Sequence, residues 1–184
     1  MESKLLVAIG ASSDPSPNSK AAEKARKFAE TLAKYREEVI LVTGGDGGLM
    51  KIACREFVER GGITIGVIPL EDERIRENNP RHSPYNTIKI LAGTTYQARS
   101  IPMARSCHAM VILGGGAGTI VEAFLAYIYG KPLIILTETG YPSDKLEEFC
   151  EDGYLDHRRM VKAYFMKDPA AAADLAYRLA KARS

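Results

Sequence analysis

Residues 114–122 carry the residue types best suited to chemistry on a phosphorylated molecule. Four of the first five positions are glycine, so the backbone can adopt positive φ and a bulky anion can approach its amides. The apolar run at 109–113 predicts a buried strand before this turn, and the residues after it predict a helix. The first N–H groups and the dipole of that helix would attract the same anion. We therefore predict that Gly115, Gly116, Gly118 and Thr119 bind a phosphate, with Thr119 adding a hydroxyl donor.

Glu122 places a carboxylate one helical turn beyond the predicted phosphate site. Two interpretations fit the spacing. Thr119 and Glu122 match the S/T-x-x-E capping box, in which each side chain satisfies a free backbone donor at a helix start. Alternatively, the carboxylate serves the anion site beside it, in a way that the spacing does not specify.

Short apolar runs alternate with helical patterns along the whole chain. Apolar runs predict strands at 5–9, 39–42, 63–68, 87–90, 109–113, 133–136 and 161–165. Between and after them, helices are predicted from 18 or 19 to about 37, from the Gly44 turn to about 60, at 97–106, from the Gly114 turn to about 129, from 143 or 144 to about 150, and from 169 onwards. Residues 69–84 read as a long surface loop with one turn of helix. This alternation predicts one domain spanning 1–184, a doubly wound, Rossmann-like parallel sheet with helices on both faces.

A second glycine turn follows the predicted strand at 39–42 and contains Gly44, Gly45 and Gly48. In doubly wound folds, ligands bind outside the carboxyl ends of the strands, and both glycine turns lie at such ends. We therefore expect the two turns to converge on one site. Neither turn contains the G-x-G-x-x-G fingerprint or the Walker lysine, so a standard NAD or P-loop site is not predicted.

The composition narrows the class of protein. The chain has 184 residues with 46% hydrophobic and 26% charged residues, which is typical of a soluble globular protein. Its net charge of +2 comes from scattered basic residues and does not predict nucleic-acid binding. No apolar run is long enough to span a membrane. Three cysteines without C-x-x-C spacing favour the reducing cytoplasm and neither a disulfide framework nor a zinc site.

Several of these segments resemble one known family. Residues 114–122 resemble the P-G-G-x-G-T-x-x-E signature of the LONELY GUY-type phosphoribohydrolases, which are often labelled lysine decarboxylase-like although they lack that activity. Residues 44–50 are similar to the G-G-x-x-G-L-M motif of that superfamily, and residues 10–13 resemble its first turn. Residues 152–159 point to a subgroup of uncharacterised prokaryotic proteins, to which molybdenum-cofactor carrier proteins are also similar.

The resemblance implies a set of functional residues. It adds Gly10 and Ser12 to the phosphate- or nucleotide-binding set and places Arg99 where the family has a functional arginine. Two positions depart from the family pattern, because Ser100 stands where the family has lysine and Gly114 where it has proline.

Two functions follow from the resemblance. The first is a nucleoside 5′-monophosphate phosphoribohydrolase, with Arg99 and Glu122 as catalytic residues and no cofactor. The second is a non-catalytic carrier or sensor of a phosphorylated ligand, such as a nucleotide or a pterin cofactor. Retention of Arg99 and Glu122 favours the enzyme, and the departure at Ser100 favours the carrier.

Two further predictions concern assembly and the other reactive side chains. The helix at 120–129 is apolar around most of its circumference, and the relatives are dimeric, so we expect a homodimer or a larger even assembly. His82, His108 and His157 lack ligand spacing, so no metal site is predicted. Cys107 and His108 are adjacent, but sequence neighbours do not thereby form a catalytic pair.

Overall fold

The fold is built on one parallel β-sheet. The computed structural model describes residues 3–73 and 83–183. Within these residues the sheet has seven strands, which all run parallel in the order β4-β3-β2-β1-β5-β6-β7. The strands are β1 (Leu5–Ala11), β2 (Val39–Thr43), β3 (Ile63–Ile68), β4 (Ile88–Leu91), β5 (Ala109–Gly114), β6 (Leu133–Leu136) and β7 (Ala163–Met166). The predicted doubly wound parallel sheet is confirmed.

In the part of the chain that the structure describes, six α-helices connect or follow the strands. They are α1 (Ser19–Leu32), α2 (Gly48–Val58), α3 (Leu70–Glu73), α4 (Tyr96–Ser106), α5 (Ala117–Ile128) and α6 (Pro169–Lys181). The side chains of Asn18 and Asp168 cap α1 and α6 by accepting hydrogen bonds from backbone amides at 2.9 and 2.8 Å, as the sequence predicted. Of the predicted loop at 69–84, α3 is the expected single turn of helix, and residues 74–82 lie outside the described residues.

Two predicted helices differ from the structure. The first ends at Leu32 and continues as a 3₁₀ turn at Ala33–Tyr35, so it is shorter than predicted. The segment Pro142–Phe149 is a 3₁₀-helix that neither Ser143 nor Asp144 caps. Their side chains serve other backbone groups instead. The Ser143 hydroxyl accepts from the Gly115 amide, and the Asp144 carboxylate accepts from the Gly140 amide.

Most of the strands are buried because helices cover each side of the sheet, whereas the edge strand β4 is exposed along its whole length. On one side, residues such as Val7 and Val111 pack against α1, α2 and α6. On the other side, Ala8 and Ile112 pack against α4 and α5. The continuous apolar runs in the sequence are therefore the pattern expected of strands with two covered faces.

The strand order reverses its direction at β1, which lies between β2 and β5. Such a switch point opens a crevice at the carboxyl ends of the strands, and ligands of doubly wound sheets bind there. The turns after β1, β2 and β5 all lie at this end. Among the residues that the structure describes, no helix is both long enough and apolar enough to cross a membrane.

Candidate functional site

The first turn of α5 forms one open wall of the site. β5 ends at Gly114, whose φ of 119° is a backbone conformation that L side chains rarely adopt. Gly116 is the N-cap residue of α5, and as a glycine it has no side chain that could cap the helix. A Cβ added at Gly116 or Gly118 would meet no atom of the described residues within 4 Å. An anion can therefore approach the backbone of this turn without meeting a neighbouring side chain.

Backbone hydrogen bonds join the three turns at the switch point. The Ser12 amide donates to the carbonyl of Gly114 over 2.8 Å, and the Ser12 carbonyl accepts from the amide of Leu49 over 2.9 Å. Ser12 thus lies between the turn after β5 and the first turn of α2. The two glycine turns are brought together at one end of the sheet, as their positions after parallel strands indicated.

A cavity of about 420 Å³ opens between these turns and α4. Its volume lies within the range of small-molecule sites in proteins. Six of the residues predicted for the site line it, namely Ser12, Arg99, Gly116, Gly118, Thr119 and Glu122. The structure therefore brings both predicted catalytic side chains and the open turn of α5 to one cavity.

Glu122 is a buried carboxyl group in the wall of this cavity. Its side chain is almost withdrawn from solvent, with a relative exposure of 7% for the residue. The Ser100 hydroxyl donates a hydrogen bond to Glu122 Oε1 over 3.1 Å. Burial raises the pKa of Glu122 from 4.5 to about 7, against the opposing effects of the Arg99 charge and the Ser100 hydrogen bond. The group is therefore available in both protonation states near neutral pH.

The capping-box interpretation of Glu122 is wrong. The N-cap of α5 is Gly116, so Thr119 lies three positions inside the helix and is not the residue that would receive a reciprocal bond. Glu122 accepts its hydrogen bond from a side chain of α4 and not from the backbone at the start of α5. Its burial in a cavity wall thus has no explanation in helix capping.

Arg99 reaches the cavity from α4, which continues through Pro102 as an unbroken helix. The Nη1 atom of Arg99 donates to the carbonyl of Val67 over 3.0 Å, which anchors the guanidinium at the end of β3. Its buried Nε atom has no hydrogen-bond partner among residues 3–73 and 83–183. The ring centroid of Tyr96 lies 5.5 Å from the guanidinium carbon. Contacts with β3 and with Tyr96 thus hold the Arg99 guanidinium in the wall of the cavity.

Gly10 and Gly44 make room for the two candidate catalytic side chains. A Cβ on Gly10 would lie 2.8 Å from Glu122 Oε2, and a Cβ on Gly44 would overlap the Arg99 guanidinium. Neither glycine lines the 420 Å³ cavity. Their proximity to a ligand stays a prediction, whereas their contacts explain why a side chain at either position would displace Glu122 or Arg99.

The remaining predicted glycines hold the turns in place. Gly48 has a φ of 58° and lines a neighbouring cavity of about 560 Å³, which shares Ser13, Asp46 and Tyr96 with the first. Gly45 has a φ of 77°, and its amide donates to Thr43 Oγ1 over 2.9 Å. The Gly115 amide donates to Ser143 Oγ over 3.0 Å, so that donor is engaged within the protein.

Asp46, Tyr96 and Ser100 are among the cavity residues that were not predicted as site residues. Ser100 lines the cavity while donating to Glu122. The position of Asp46 within a glycine turn was a signal that could have identified it. Nothing in the sequence indicates the Ser100 contact, because the two residues lie on different helices and 22 positions apart.

Cys107 and His108 make separate structural contacts. The Cys107 thiol donates to the carbonyl of Ala104 over 3.2 Å, and burial raises its pKa to about 12. His108 Nδ1 accepts from the amide of Leu6 over 2.9 Å. These contacts argue against a thiol–imidazole pair. In residues 3–73 and 83–183 no cluster of His, Cys, Asp or Glu is arranged to hold a metal ion, and His82 lies outside them.

The fold and the site define the class of this protein as a Rossmann-like α/β protein with a small-molecule cavity at the switch point. Within that class the chain belongs to the SLOG cluster4 family, whose model matches residues 4–172. The predicted relationship to the LONELY GUY-type superfamily is confirmed by this match and by the relatives below.

Three known proteins illustrate what this chain is similar to. The probable cytokinin riboside 5′-monophosphate phosphoribohydrolase LOG4 of Oryza sativa subsp. japonica is 28% identical over 130 residues, which are 66% of this chain and 54% of that protein. The crystal structure of TM1055 is 29% identical, with a TM-score of 0.83 over 95% of this chain and 99% of that one. The Moco carrier protein of Chlamydomonas reinhardtii is 25% identical, with a TM-score of 0.75 over 98% of this chain and 99% of that one.

The chain spans about half the length of the first curated relatives it matches, 56% of one and 54% of the rice protein. The similarity to TM1055 and to the carrier protein extends over nearly all of both chains.

Proposed function

We propose that this protein is a nucleoside 5′-monophosphate phosphoribohydrolase, which cleaves the N-glycosidic bond to release a free base and ribose 5-phosphate. The observation that carries the proposal is the buried Glu122 carboxyl group, which lines the same cavity as Arg99 and has no capping role. Burying an ionisable group costs free energy, and buried groups with a shifted pKa cluster at functional sites. The rice relative named above supports the choice of reaction.

The 5′-phosphate of the substrate binds at the first turn of α5. Gly116 and Gly118 present backbone without Cβ atoms there, and the helix dipole adds partial positive charge. Thr119 also lines the cavity and supplies a hydroxyl group. Binding at this turn places the ribose toward the cavity wall that Glu122 forms.

Glu122 then acts on the ribose and on the attacking water. As the bond from C1′ to the base nitrogen breaks, its electron pair leaves with the base and C1′ gains oxocarbenium character. The ionised carboxylate stabilises that charge and accepts a proton from the water that attacks C1′. The released base gains a proton, so the net reaction consumes one water molecule.

Arg99 supports this chemistry in two ways. Its charge lowers the pKa of Glu122 and so favours the ionised carboxylate. Its guanidinium group lines the cavity and supplies positive charge for a phosphate or for negative charge that develops on the departing base.

The test is single-turnover release of free base from AMP and related monophosphates, compared with ligand binding by calorimetry. We expect Glu122→Gln to lower release by about 10²-fold or more with little loss of binding, because the change removes charge and preserves shape. Glu23→Gln is the matched control, since Glu23 lies exposed on α1. If wild-type protein releases no base from any of these compounds, the enzyme proposal is wrong.

The second candidate function is a carrier or sensor that binds a phosphorylated ligand without cleaving it. The match to the Chlamydomonas Moco carrier protein over 98% of this chain favours it. In that case Glu122 and Arg99 contact the ligand and no bond is broken. Mass spectrometry of a ligand that co-purifies with the protein separates the two functions, because a molybdopterin favours the carrier and a nucleotide favours the enzyme.

We also propose a cytoplasmic location and an even homo-oligomer. Cys54, Cys107 and Cys150 are all free thiols, which suits a reducing compartment. Val121 and Ile128 expose apolar side chains on α5, which suits an interface with a second copy.

A further inference from the structure

We infer that Ser100 is a positioning residue, whose hydroxyl group orients the Glu122 carboxyl group and favours its charged form. The inference deepens the proposed function, because it assigns a role to a side chain that acts on the substrate only through Glu122. In the sequence, Ser100 is notable only because it stands where the family pattern has lysine. Its contact in the folded protein points to a role of its own.

The geometry holds both oxygens of the carboxyl group. Ser100 Oγ lies 3.1 Å from Glu122 Oε1, and both residues are buried. Glu122 Oε2 lies against Gly10, where a Cβ would come within 2.8 Å of it. One oxygen is therefore held by a hydrogen bond from α4 and the other by close packing on β1. Without the hydroxyl group, the carboxyl group would lose this directional contact.

The hydroxyl group also acts on the charge of Glu122. A serine hydroxyl can donate to a carboxylate or accept from a carboxylic acid, and a hydrogen bond to the ionised form is the stronger of the two. Donation from Ser100 therefore favours the carboxylate, while burial of Glu122 favours the neutral acid. Among the described residues, the charged group that acts on Glu122 is Arg99 from α4, and Asp46 from the loop before α2 lines the same cavity.

Arg99 and Ser100, which are neighbours on α4, thus lower the pKa of Glu122 in two different ways. Arg99 lowers the pKa of Glu122 through its charge, and Ser100 lowers it through a short-range hydrogen bond. The charge acts over several ångströms and has little directional preference, whereas the hydrogen bond requires a defined orientation of the carboxyl group. Ser100 is therefore the residue that can set both the direction and the ionisation of Glu122.

The inference is tested with Ser100→Ala and with Ser106→Ala as the matched control. Ser106 lies on the same helix but exposed and away from the cavity of Glu122. The ionisation of Glu122 is followed by ¹³C NMR of its side-chain carboxyl group as a function of pH, with the signal assigned from its absence in Glu122→Gln. Thermal unfolding of each variant verifies that folded proteins are compared.

We expect Ser100→Ala to move the titration of Glu122 upward by about one pH unit and Ser106→Ala to leave it in place. The acidic limb of the pH profile for base release should move upward by the same amount, with kcat falling more than KM changes. A titration that is unchanged in folded Ser100→Ala overturns the inference even where base release is observed. A shifted titration in a protein that releases no base supports the role of Ser100 and refutes the proposed hydrolysis.

Discussion

Replacing Glu122 by glutamine should stabilise the ligand-free protein at neutral and alkaline pH. In the folded protein, burial raises the pKa of this carboxyl group from 4.5 to about 7. Between those two pH values the unfolded chain loses the proton and the folded chain retains it. The folded state then binds more protons, so the contribution of Glu122 to stability falls as pH rises through this window. Glutamine does not titrate and is free of this effect.

The magnitude follows from the difference between the two pKa values. Each pKa unit corresponds to 1.36 kcal/mol, so the rise from 4.5 to about 7 amounts to about 3 kcal/mol of destabilisation at pH 8. At pH 5 most of this penalty is absent. The advantage of Glu122→Gln should therefore grow by about 2–3 kcal/mol between pH 5 and pH 8. Such a difference corresponds to roughly 4–12 °C in Tm for a chain of this size.

The assay is urea unfolding of wild type and Glu122→Gln at several pH values from 5 to 8, followed by circular dichroism in phosphate-free buffer. The quantity to compare is the difference in the free energy of unfolding between the two proteins, because other titrating groups contribute equally to both. His108 is one such group, since burial lowers its pKa. Glu23→Gln provides the control for loss of one exposed carboxylate.

Two results would refute this reasoning. If the free energies of unfolding of Glu122→Gln and wild type differ by the same amount at pH 5 and pH 8, the Glu122 carboxyl group does not have a raised pKa in the folded protein. If the variant is less stable at pH 8, the ionised carboxylate makes interactions with Arg99 and Ser100 that exceed the cost of its burial.

Three further predictions concern the glycines and the assembly. Gly118→Ala should raise the free energy of unfolding by about 0.5–1 kcal/mol, since alanine favours the helix and its Cβ meets no atom of the described residues within 4 Å. The same Cβ should weaken phosphate binding. Urea unfolding and calorimetry with AMP measure the two effects, and an undiminished affinity would mean that the anion binds elsewhere. Gly44→Ala should displace Arg99 and weaken AMP binding by about tenfold, which is roughly the free energy of one hydrogen bond to a charged group. An unchanged binding isotherm would contradict a ligand contact by Arg99. Light scattering at micromolar concentration should give an even multiple of 20.1 kDa, since Val121 and Ile128 are 44% and 45% exposed on α5, and a monomer mass would contradict the expected assembly.

Most of the fold could be predicted because its signals are local. Four- to six-residue apolar runs between helical patterns indicate strands buried on both faces, and the caps at Asn18 and Asp168 mark helix starts. The errors occurred where tertiary contacts compete with local preferences. Ser143 has the side chain of a helix cap, but its hydroxyl accepts from Gly115 and the segment folds as a 3₁₀-helix.

The candidate site was predictable in its location and less so in its detail. Glycine turns after parallel strands had to lie at one end of the sheet, and Arg99 and Glu122 were identified by their resemblance to a family motif. The spacing of Thr119 and Glu122 allowed a capping box, and only the position of the N-cap at Gly116 excluded it. The roles of Gly10 and Gly44 as space for side chains were also invisible in the sequence.

The sequence by itself determined the alternation of strands and helices, the flexible backbone of the glycine turns and the chemical groups that could meet an anion. These properties depend on residues that are near one another along the chain. The tertiary structure alone decided which groups meet. It placed Ser100 against Glu122 from a separate helix and buried that carboxyl group deeply enough to raise its pKa. Burial and long-range contacts depend on the packing of whole elements, so no local pattern of residues specifies them.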